Sequence, residues 1–370
     1  MKKLLAFSLF FILLVPGVLA QDPTSLGSEE PPYQKPRYYH FSNILVIAII
    51  SSIALFAFRM RADFVTLLLS MALAIIAFSA TAESLYLYDI HASSYSLPFS
   101  NYFSDCISYG GKIYCIGVPS GSWPYTCEGE CCRQIWVYDG QWTMKKVLEY
   151  PFLGTSCAAV GGKIYCLGGG TWDATHNKVL VYDPSSNSVV YKELPVNISL
   201  MTCVPYDGYI YCLGGQDWGY NESGAWVGVK ERYNYVWKYD PSANSFTAVK
   251  TVQFYDLGYT IRIGAAVYNG YIYFGAVPCF QYKYDPSTDT LTQISNCPYV
   301  HWSHLFETDC PVINGKAYCY QDIALWVTDF EEESSEKYYV NAYGHKGYSV
   351  VYWNGKLCKI YKSNMYCFSL

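Results

Sequence analysis

The chain has 370 residues, a formal net charge of −5, 52% hydrophobic residues and 15% charged residues. This small negative charge argues against nucleic-acid binding, which requires a basic face. The 15 cysteines, most of them in pairs nine positions apart, are typical of proteins in an oxidising compartment.

Residues 1–20 read MKKLLAFSLFFILLVPGVLA, with two lysines, an apolar core and small residues at Val18 and Ala20. This pattern is typical of a secretory signal peptide. Residues 21–40 are polar and contain several prolines, which favours a disordered linker on the extracytoplasmic side.

Two uncharged apolar stretches follow, at 41–58 and 64–82. Each is long enough to cross a bilayer core of about 30 Å, and neither has the amphipathic stripe of a buried soluble helix. The connecting loop 59–63 contains Arg59 and Arg61, which favour the cytoplasmic side. The sequence therefore predicts a cell-membrane protein that contacts the lipid bilayer through two helices, with residues 84–370 outside.

A hairpin motif recurs six times after residue 84. Its turns are Gly110–Gly111, Gly161–Gly162, Asp207–Gly208, Asn269–Gly270, Asn314–Gly315 and Asn354–Gly355. Glycine supplies the positive φ angle that a two-residue hairpin turn needs. In such a hairpin Cys157 lies opposite Cys166 at a non-hydrogen-bonded pair, with Cα atoms about 4.5 Å apart, a distance that a disulfide bridges.

The same spacing predicts four more disulfides, which are Cys106–Cys115, Cys203–Cys212, Cys310–Cys319 and Cys358–Cys367. Cys279 and Cys297 flank another predicted hairpin and form a sixth candidate pair. Cys127, Cys131 and Cys132 remain, one fewer than the four ligands of a structural zinc site. We expect one loop disulfide among them, and we hypothesise that the odd thiol links two chains in a homodimer.

The second half of each repeat contains alternating apolar runs joined by Tyr-Asp-Pro or Tyr-Asp-Gly turns, as in residues 179–195 and 235–249. Four strands per repeat cannot bury their faces singly, but a radial arrangement buries them. With their Gly turns and the runs Ile164 to Gly169 and Ile210 to Gly215, the repeats resemble kelch motifs. The resemblance covers residues 84–370 and implies an all-β fold, a six-bladed kelch-like β-propeller.

The last repeat supplies three strands and ends at Leu370, so one strand of its blade must come from elsewhere. We expect residues 84–90 to supply it. The alternative is two strands from each end, because YDIHASSYSLP also resembles an outer hairpin.

The connections on one side of the blades are uniformly tight, whereas those on the other side are long: 118–133, 168–177, 214–233 and 298–309. Long loops on a rigid scaffold commonly carry recognition. The candidate ligand-binding residues in them are Trp123, Tyr125, Trp172, Asp173, Trp218, Tyr220, Trp226 and Trp302. Aromatic rings with polar neighbours suit a cell-surface or extracellular protein partner, and they also stack on glycans. Protein binding is the preferred interpretation, with carbohydrate binding as the alternative.

No phosphate-binding loop and no HExxH, GxSxG or CxxC motif is present, so no catalytic residue and no cofactor is predicted. His176, His301 and His304 lie in the long connections and are weak metal candidates. The resemblance includes copper enzymes similar to galactose oxidase and six-bladed sugar epimerases, which leaves an enzyme as the second alternative. Two N-glycosylation sequons, Asn197–Ile198–Ser199 and Asn221–Glu222–Ser223, lie in the same connections.

Overall fold

The computed structural model describes residues 90–101, 103–118, 132–171, 173–221, 223–252, 264–275, 280–294, 310–321, 324–340 and 349–370. All of them belong to one compact unit, Tyr39–Leu370. This part of the chain is all-β and contains no α-helix. None of its elements is a helix long and apolar enough to span a bilayer. The predicted signal peptide, linker and membrane helices lie outside the described residues.

The strands form six antiparallel sheets. Sheet 1 contains β2 (Asp105–Tyr109), β3 (Lys112–Val118), β4 (Gln134–Tyr138) and β5 (Trp142–Val147). Sheet 2 contains β6 (Ser156–Val160), β7 (Lys163–Leu167), β8 (Lys178–Asp183) and β9 (Ser188–Glu193). Sheet 3 contains β10 (Ser199–Tyr206), β11 (Tyr209–Tyr220), β12 (Trp226–Arg232), β13 (Tyr235–Asp240) and β14 (Ser245–Thr251).

The remaining three sheets come from the second half of the chain and its N-terminal strand. Sheet 4 contains β15 (Gly264–Tyr268), β16 (Tyr271–Gly275), β17 (Tyr282–Asp285) and β18 (Thr290–Gln293). Sheet 5 contains β19 (Val312–Ile313), β20 (Lys316–Gln321), β21 (Ala324–Asp329) and β22 (Ser334–Tyr339). Sheet 6 combines β1 (Ser93–Asn101) with β23 (Ser349–Trp353) and β24 (Lys356–Ser369).

The first hairpin of each sheet closes at the predicted turn, where both turn residues have positive φ. Cys157 is paired with Cys166 across the ladder, as the two-residue loop requires. The five hairpin disulfides predicted from the spacing are confirmed, with Cα–Cα distances between 4.0 and 4.8 Å. The sixth predicted pair, Cys279–Cys297, lies outside the described residues.

The outer hairpins owe their shape to the aspartate of the Tyr-Asp-Pro turn. Asp183 Oδ1 accepts hydrogen bonds from the backbone N–H groups of Ser185, at 2.9 Å, and Ser186. The preceding Tyr182 hydroxyl donates to Asn187 Oδ1 at 3.0 Å, and Asn187 has a positive φ of 52°. The same bonds recur in sheets 3 and 4, so this turn is a repeated local structure rather than a ligand site.

Gly117 in sheet 1 and Gly168 in sheet 2, near the end of the second strand, show why the repeat has glycine at this position. A Cβ atom added to Gly168 would lie 2.0 Å from the carbonyl oxygen of Ile198 in the next repeat. A Cβ atom added to Gly117 would lie 2.3 Å from the carbonyl oxygen of Phe152. Only glycine therefore lets the backbones of successive repeats approach this closely.

Polar side chains beside the first strands connect successive sheets. Asp105 Oδ2 in sheet 1 accepts a hydrogen bond of 2.6 Å from the backbone N–H of Cys157 in sheet 2. Ser156 Oγ in sheet 2 accepts one of 3.0 Å from Cys203 N–H in sheet 3. These acceptors are buried, and each satisfies a backbone donor that would otherwise be unpaired inside the protein.

Each sheet contacts the next sheet along the chain, and the last sheet contacts the first. The first strands β2, β6, β10, β15 and β19 contact one another in succession, and β23 contacts β2. Leu325 of sheet 5 packs in one buried cluster with Leu357 of sheet 6, and Ser349 Oγ accepts from Cys106 N–H of sheet 1. This cycle of contacts among the six described sheets, four of which have four strands, is consistent with a kelch β-propeller.

Sheet 6 shows how the two ends of the described chain meet. Lys356 to Ile360 pair with β23, whereas Lys362 to Cys367 pair with β1. The chain reverses its direction within β24. Two observations show this: Lys362 has a positive φ of 48°, and the Cα atoms of Cys358 and Cys367 are 4.2 Å apart. The C-terminal part of the chain thus provides three strand segments of sheet 6, and the N-terminal part provides one. That one is Ser93–Asn101, so the prediction that residues 84–90 take this place was wrong.

Candidate functional site

The connection after the second strand of sheet 3 is a protruding β-hairpin. Strand β11 continues past the sheet to Tyr220, and β12 returns from Trp226 to Arg232. Trp218 is paired with Val229, and Tyr220 is paired with Trp226. The long connection predicted at residues 214–233 therefore contains a hairpin, which was not predicted. Aromatic and β-branched residues on both sides of the Asn-Glu-Ser-Gly segment were the signal for a hairpin.

The turn at the tip of this hairpin is held by one side chain. Asn221 Oδ1 accepts hydrogen bonds from the backbone N–H of Ser223 at 3.1 Å and of Ala225 at 2.9 Å. The Ser223 hydroxyl donates to the same oxygen at 2.7 Å. The backbone N–H of Asn221 also donates to the Ala225 carbonyl oxygen at 2.9 Å, which closes the turn.

The base of the hairpin is fixed by the neighbouring connection of sheet 2. Trp218 Nε1 donates to the Thr171 carbonyl oxygen at 3.2 Å, and Thr175 N–H donates to the Trp218 carbonyl oxygen at 3.2 Å. The Thr175 hydroxyl donates to Asp217 Oδ1. A Cβ added to Gly219 would lie 3.1 Å from the Asp173 carbonyl oxygen, so the two connections pack closely. Two predicted site residues, Asp173 and Trp218, are thereby brought together.

Three apolar side chains remain largely exposed near the tip. Tyr220 is 47% exposed, Trp226 is 51% exposed and Val227 is 47% exposed. The rings of Tyr220 and Trp226 meet edge to face, with centroids 5.5 Å apart. We call these three residues the hairpin surface. Large aromatic rings held on a rigid backbone lose little entropy when they are covered by a partner.

Asp217 and Tyr233, at the base of the hairpin, are already engaged. Asp217 accepts from Thr175, its side chain is only 14% exposed, and its Oδ2 lies 3.8 Å from Lys230 Nζ. Tyr233 is buried at the foot of the hairpin, where its hydroxyl donates to the Asn197 carbonyl oxygen at 3.3 Å. Burial raises the pKa of Tyr233 above its ordinary value, so it stays neutral. These groups support the base of the hairpin.

Both ring nitrogens of His176, the weak metal candidate, form hydrogen bonds within the protein. Its Nδ1 accepts from the backbone N–H of Lys178 at 3.2 Å, so its Nε2 carries the proton and donates to the Pro151 carbonyl oxygen. Its ring packs edge to face on Phe152, and burial lowers its pKa. Both nitrogens therefore have partners without a metal. No group of three or more metal-ligating side chains occurs in the described ranges.

Several predicted residues fall outside the described part of the chain, namely Trp123, Tyr125, Trp172, Trp302, His301, His304, Cys127 and Cys131. Cys132 is described, is completely buried, and has a pKa that burial raises to about 12. A second chain cannot reach a sulfur in this position. An interchain disulfide, if it forms, would therefore use another cysteine of this group.

Comparison with known proteins identifies the repeats of sheets 2 and 3. A family model described as the Kelch motif matches residues 151–191 and 199–253. The first match spans strands β6 to β9, and the second spans β10 to β14. No curated protein matches the chain. The match supports the kelch-repeat resemblance for these two sheets, and kelch repeats generally mediate protein binding.

Proposed function

We propose that this chain is a recognition module on the outer side of a cell membrane. In this proposal residues 84–370 form a six-bladed kelch-like propeller, anchored by the apolar segments 41–58 and 64–82. The propeller binds a protein partner through the hairpin surface of Tyr220, Trp226 and Val227. Of the predicted site residues, Trp218 and Asp173 then support this surface from behind.

The number of blades is supported by the six sheets and by the contacts between them. Each sheet in the described ranges meets the next, and sheet 6 meets sheet 1 through Ser349 and Cys106. A closed cycle protects sheet edges that an open array would expose.

The location is supported by the five hairpin disulfides. Disulfides of this number persist in oxidising compartments and are rare in the cytosol of mesophiles. A membrane-impermeant amine reagent tests the location, because Lys145 is exposed on β5. We expect labelling of Lys145 on intact cells. Labelling that requires permeabilised cells would place the domain inside.

The observation that carries the recognition function is the exposed Tyr220–Trp226 pair on a hairpin with a fixed base. Interfaces are enriched in such aromatic residues, and a few of them provide most of the binding energy. A sugar site also needs polar groups beside the stacking ring. Asp217, at the base of the hairpin, is engaged by Thr175 and Lys230, so we favour a protein over a glycan.

Site-specific photocrosslinking of the full chain in its own membrane tests this function. A photoreactive residue replaces Trp226 in one variant and Val190 in the control. Val190 is 56% exposed on the outer strand of sheet 2 and does not belong to the hairpin. We expect a discrete protein adduct from position 226 and none from position 190. Equal adducts at both positions, or none at either, would contradict the proposal.

A glycan array distinguishes the alternative. If the full chain binds a defined glycan and the Trp226→Ala variant does not, the hairpin surface is a carbohydrate site. We expect no such binding, because the Asp217 carboxylate at the base of the hairpin is already engaged by Thr175 and Lys230.

A further inference from the structure

The structure points to a modification site at the tip of the β11–β12 hairpin. We propose that Asn221 is an N-glycan acceptor in the folded protein, with a lipid-linked oligosaccharide as the donor. The inference rests on the outer location proposed above, because oligosaccharide transfer to asparagine takes place outside the cytosol.

The acceptor asparagine lies in a hydrogen-bonded turn. Asn221 is exposed, and the hydroxyl of Ser223, the third residue of the sequon, donates to Asn221 Oδ1 at 2.7 Å. The N–H groups of Ser223 and Ala225 donate to the same oxygen. An Asn-x-Ser sequence is an acceptor only where it lies in an accessible loop, and the hairpin tip is such a loop.

The amide nitrogen of Asn221, Nδ2, is the reacting atom. Three donors on Oδ1 draw electron density from the amide and make its N–H protons more acidic. In the described residues no acceptor binds Asn221 Nδ2, so no hydrogen bond has to be broken before transfer. The fold thus holds the amide oxygen and leaves the amide nitrogen accessible.

The transfer step balances as follows. A bond forms between Asn221 Nδ2 and C1 of the first sugar, while the bond between C1 and the lipid pyrophosphate oxygen breaks. The lipid pyrophosphate leaves with the electron pair, and one Nδ2 proton passes to a base of the transferase. No oxidant or reductant is required.

The second sequon, at Asn197, provides an internal contrast. The Asn197 side chain is exposed, but Ser199 is completely buried, and its hydroxyl donates to the Gly154 carbonyl oxygen at 3.0 Å. Ile198, between them, is also completely buried, and its carbonyl oxygen accepts from Gly169 N–H at 2.9 Å. A transferase cannot reach this hydroxyl unless the contact between sheets 2 and 3 opens. The folded protein should therefore distinguish its two sequons.

Glycosylation of the purified full chain in vitro tests the proposal. The protein, with disulfides intact, is incubated with a single-subunit oligosaccharyltransferase and a lipid-linked oligosaccharide, and glycopeptides are mapped by mass spectrometry. We expect the mass increment on Asn221 and none on Asn197. After reduction and denaturation we expect the increment on both.

Two variants sharpen the result. Ser223→Ala should abolish modification of Asn221, whereas Ser223→Thr, which keeps the hydroxyl, should retain it. Asn197→Gln is the matched control and should leave modification of Asn221 unchanged. The proposal is overturned if folded protein is unmodified at Asn221 while denatured protein is modified there, or if folded protein is modified equally at Asn197. This readout involves no binding partner, so its failure is separate from failure of the recognition function.

Discussion

The indole Nε1 of Trp353 donates a hydrogen bond of 2.6 Å to the carbonyl oxygen of Gly111, 242 positions earlier in the chain. Trp353 ends the first strand of sheet 6, and Gly111 belongs to the first hairpin turn of sheet 1. The bond joins the last sheet to the first on the side of the tight turns. The Trp353 ring also packs on Tyr138 of sheet 1, with centroids 5.1 Å apart.

Replacing this tryptophan tests how much the junction between sheets 6 and 1 stabilises the fold. Trp353→Phe keeps a ring against Tyr138 but removes the hydrogen bond, so we expect a loss of about 0.5–1.5 kcal/mol in the free energy of unfolding. Chemical denaturation measures this change in the free energy of unfolding. The neighbouring Tyr352→Phe, at a 38% exposed residue, is the control and should stay within about 0.5 kcal/mol of the unmodified protein. Equal effects of the two changes would show that the bond contributes nothing.

Removal of a buried acceptor between sheets 1 and 2 should cost more. Asp105→Ala leaves the Cys157 N–H without its acceptor, which we expect to reduce the unfolding free energy by about 1–3 kcal/mol. Asp105→Asn keeps a carbonyl oxygen and should recover most of that loss. If the Asn variant is as unstable as the Ala variant, the hydrogen bond is not the cause.

The close approach at Gly168 predicts a larger effect of a single methyl group. Gly168→Ala forces a Cβ to within 2.0 Å of the Ile198 carbonyl oxygen, so we expect the variant to fold poorly or to lose more than about 3 kcal/mol. Gly161→Ala is the control, because Gly161 has a similar φ of 56° but open space around it. Its cost should be the left-handed backbone cost alone, about 1–2 kcal/mol. Similar stabilities of the two variants would contradict the close approach.

His176 should make stability fall in acid. Burial lowers its pKa below the ordinary value of 6.5, so the unfolded chain binds a proton at a pH where the folded protein does not. The unfolding free energy should be highest above pH 6.5 and decrease as the pH falls below that value toward the folded pKa. In His176→Phe this part of the decrease should disappear, whereas in the control His91→Phe, at an exposed histidine, it should persist. Denaturation at pH 7.5 and 5.5 measures the difference.

The hairpins and their disulfides could be predicted because they depend on local geometry. The Gly161–Gly162 turn fixes the register, and the register places Cys157 opposite Cys166 without reference to the rest of the chain. The repeated Asp183 turn is likewise specified by residues within five positions of one another.

The features that the sequence did not predict depend on distant residues. Residues 84–90 and Ser93–Asn101 are both alternating segments, and only pairing with Lys362 to Cys367 determines which of them joins sheet 6. The environment of His176 depends on Pro151 and Phe152, which belong to another connection. Strand β12 has a local signal in its aromatic and β-branched residues, but the extension of β11 with which it pairs is held by Thr171 and Thr175 of the neighbouring connection.

Sheet 6 combines strands from distant parts of the sequence, and this has a consequence for biosynthesis. Strand β1 is translated long before its pairing partners, Lys362 to Cys367. Until those residues are made, β1 has no ladder to join. A chain that stops before Lys362 would lack the pairing partners of β1 and leave the hydrogen-bonding edge of this strand unpaired.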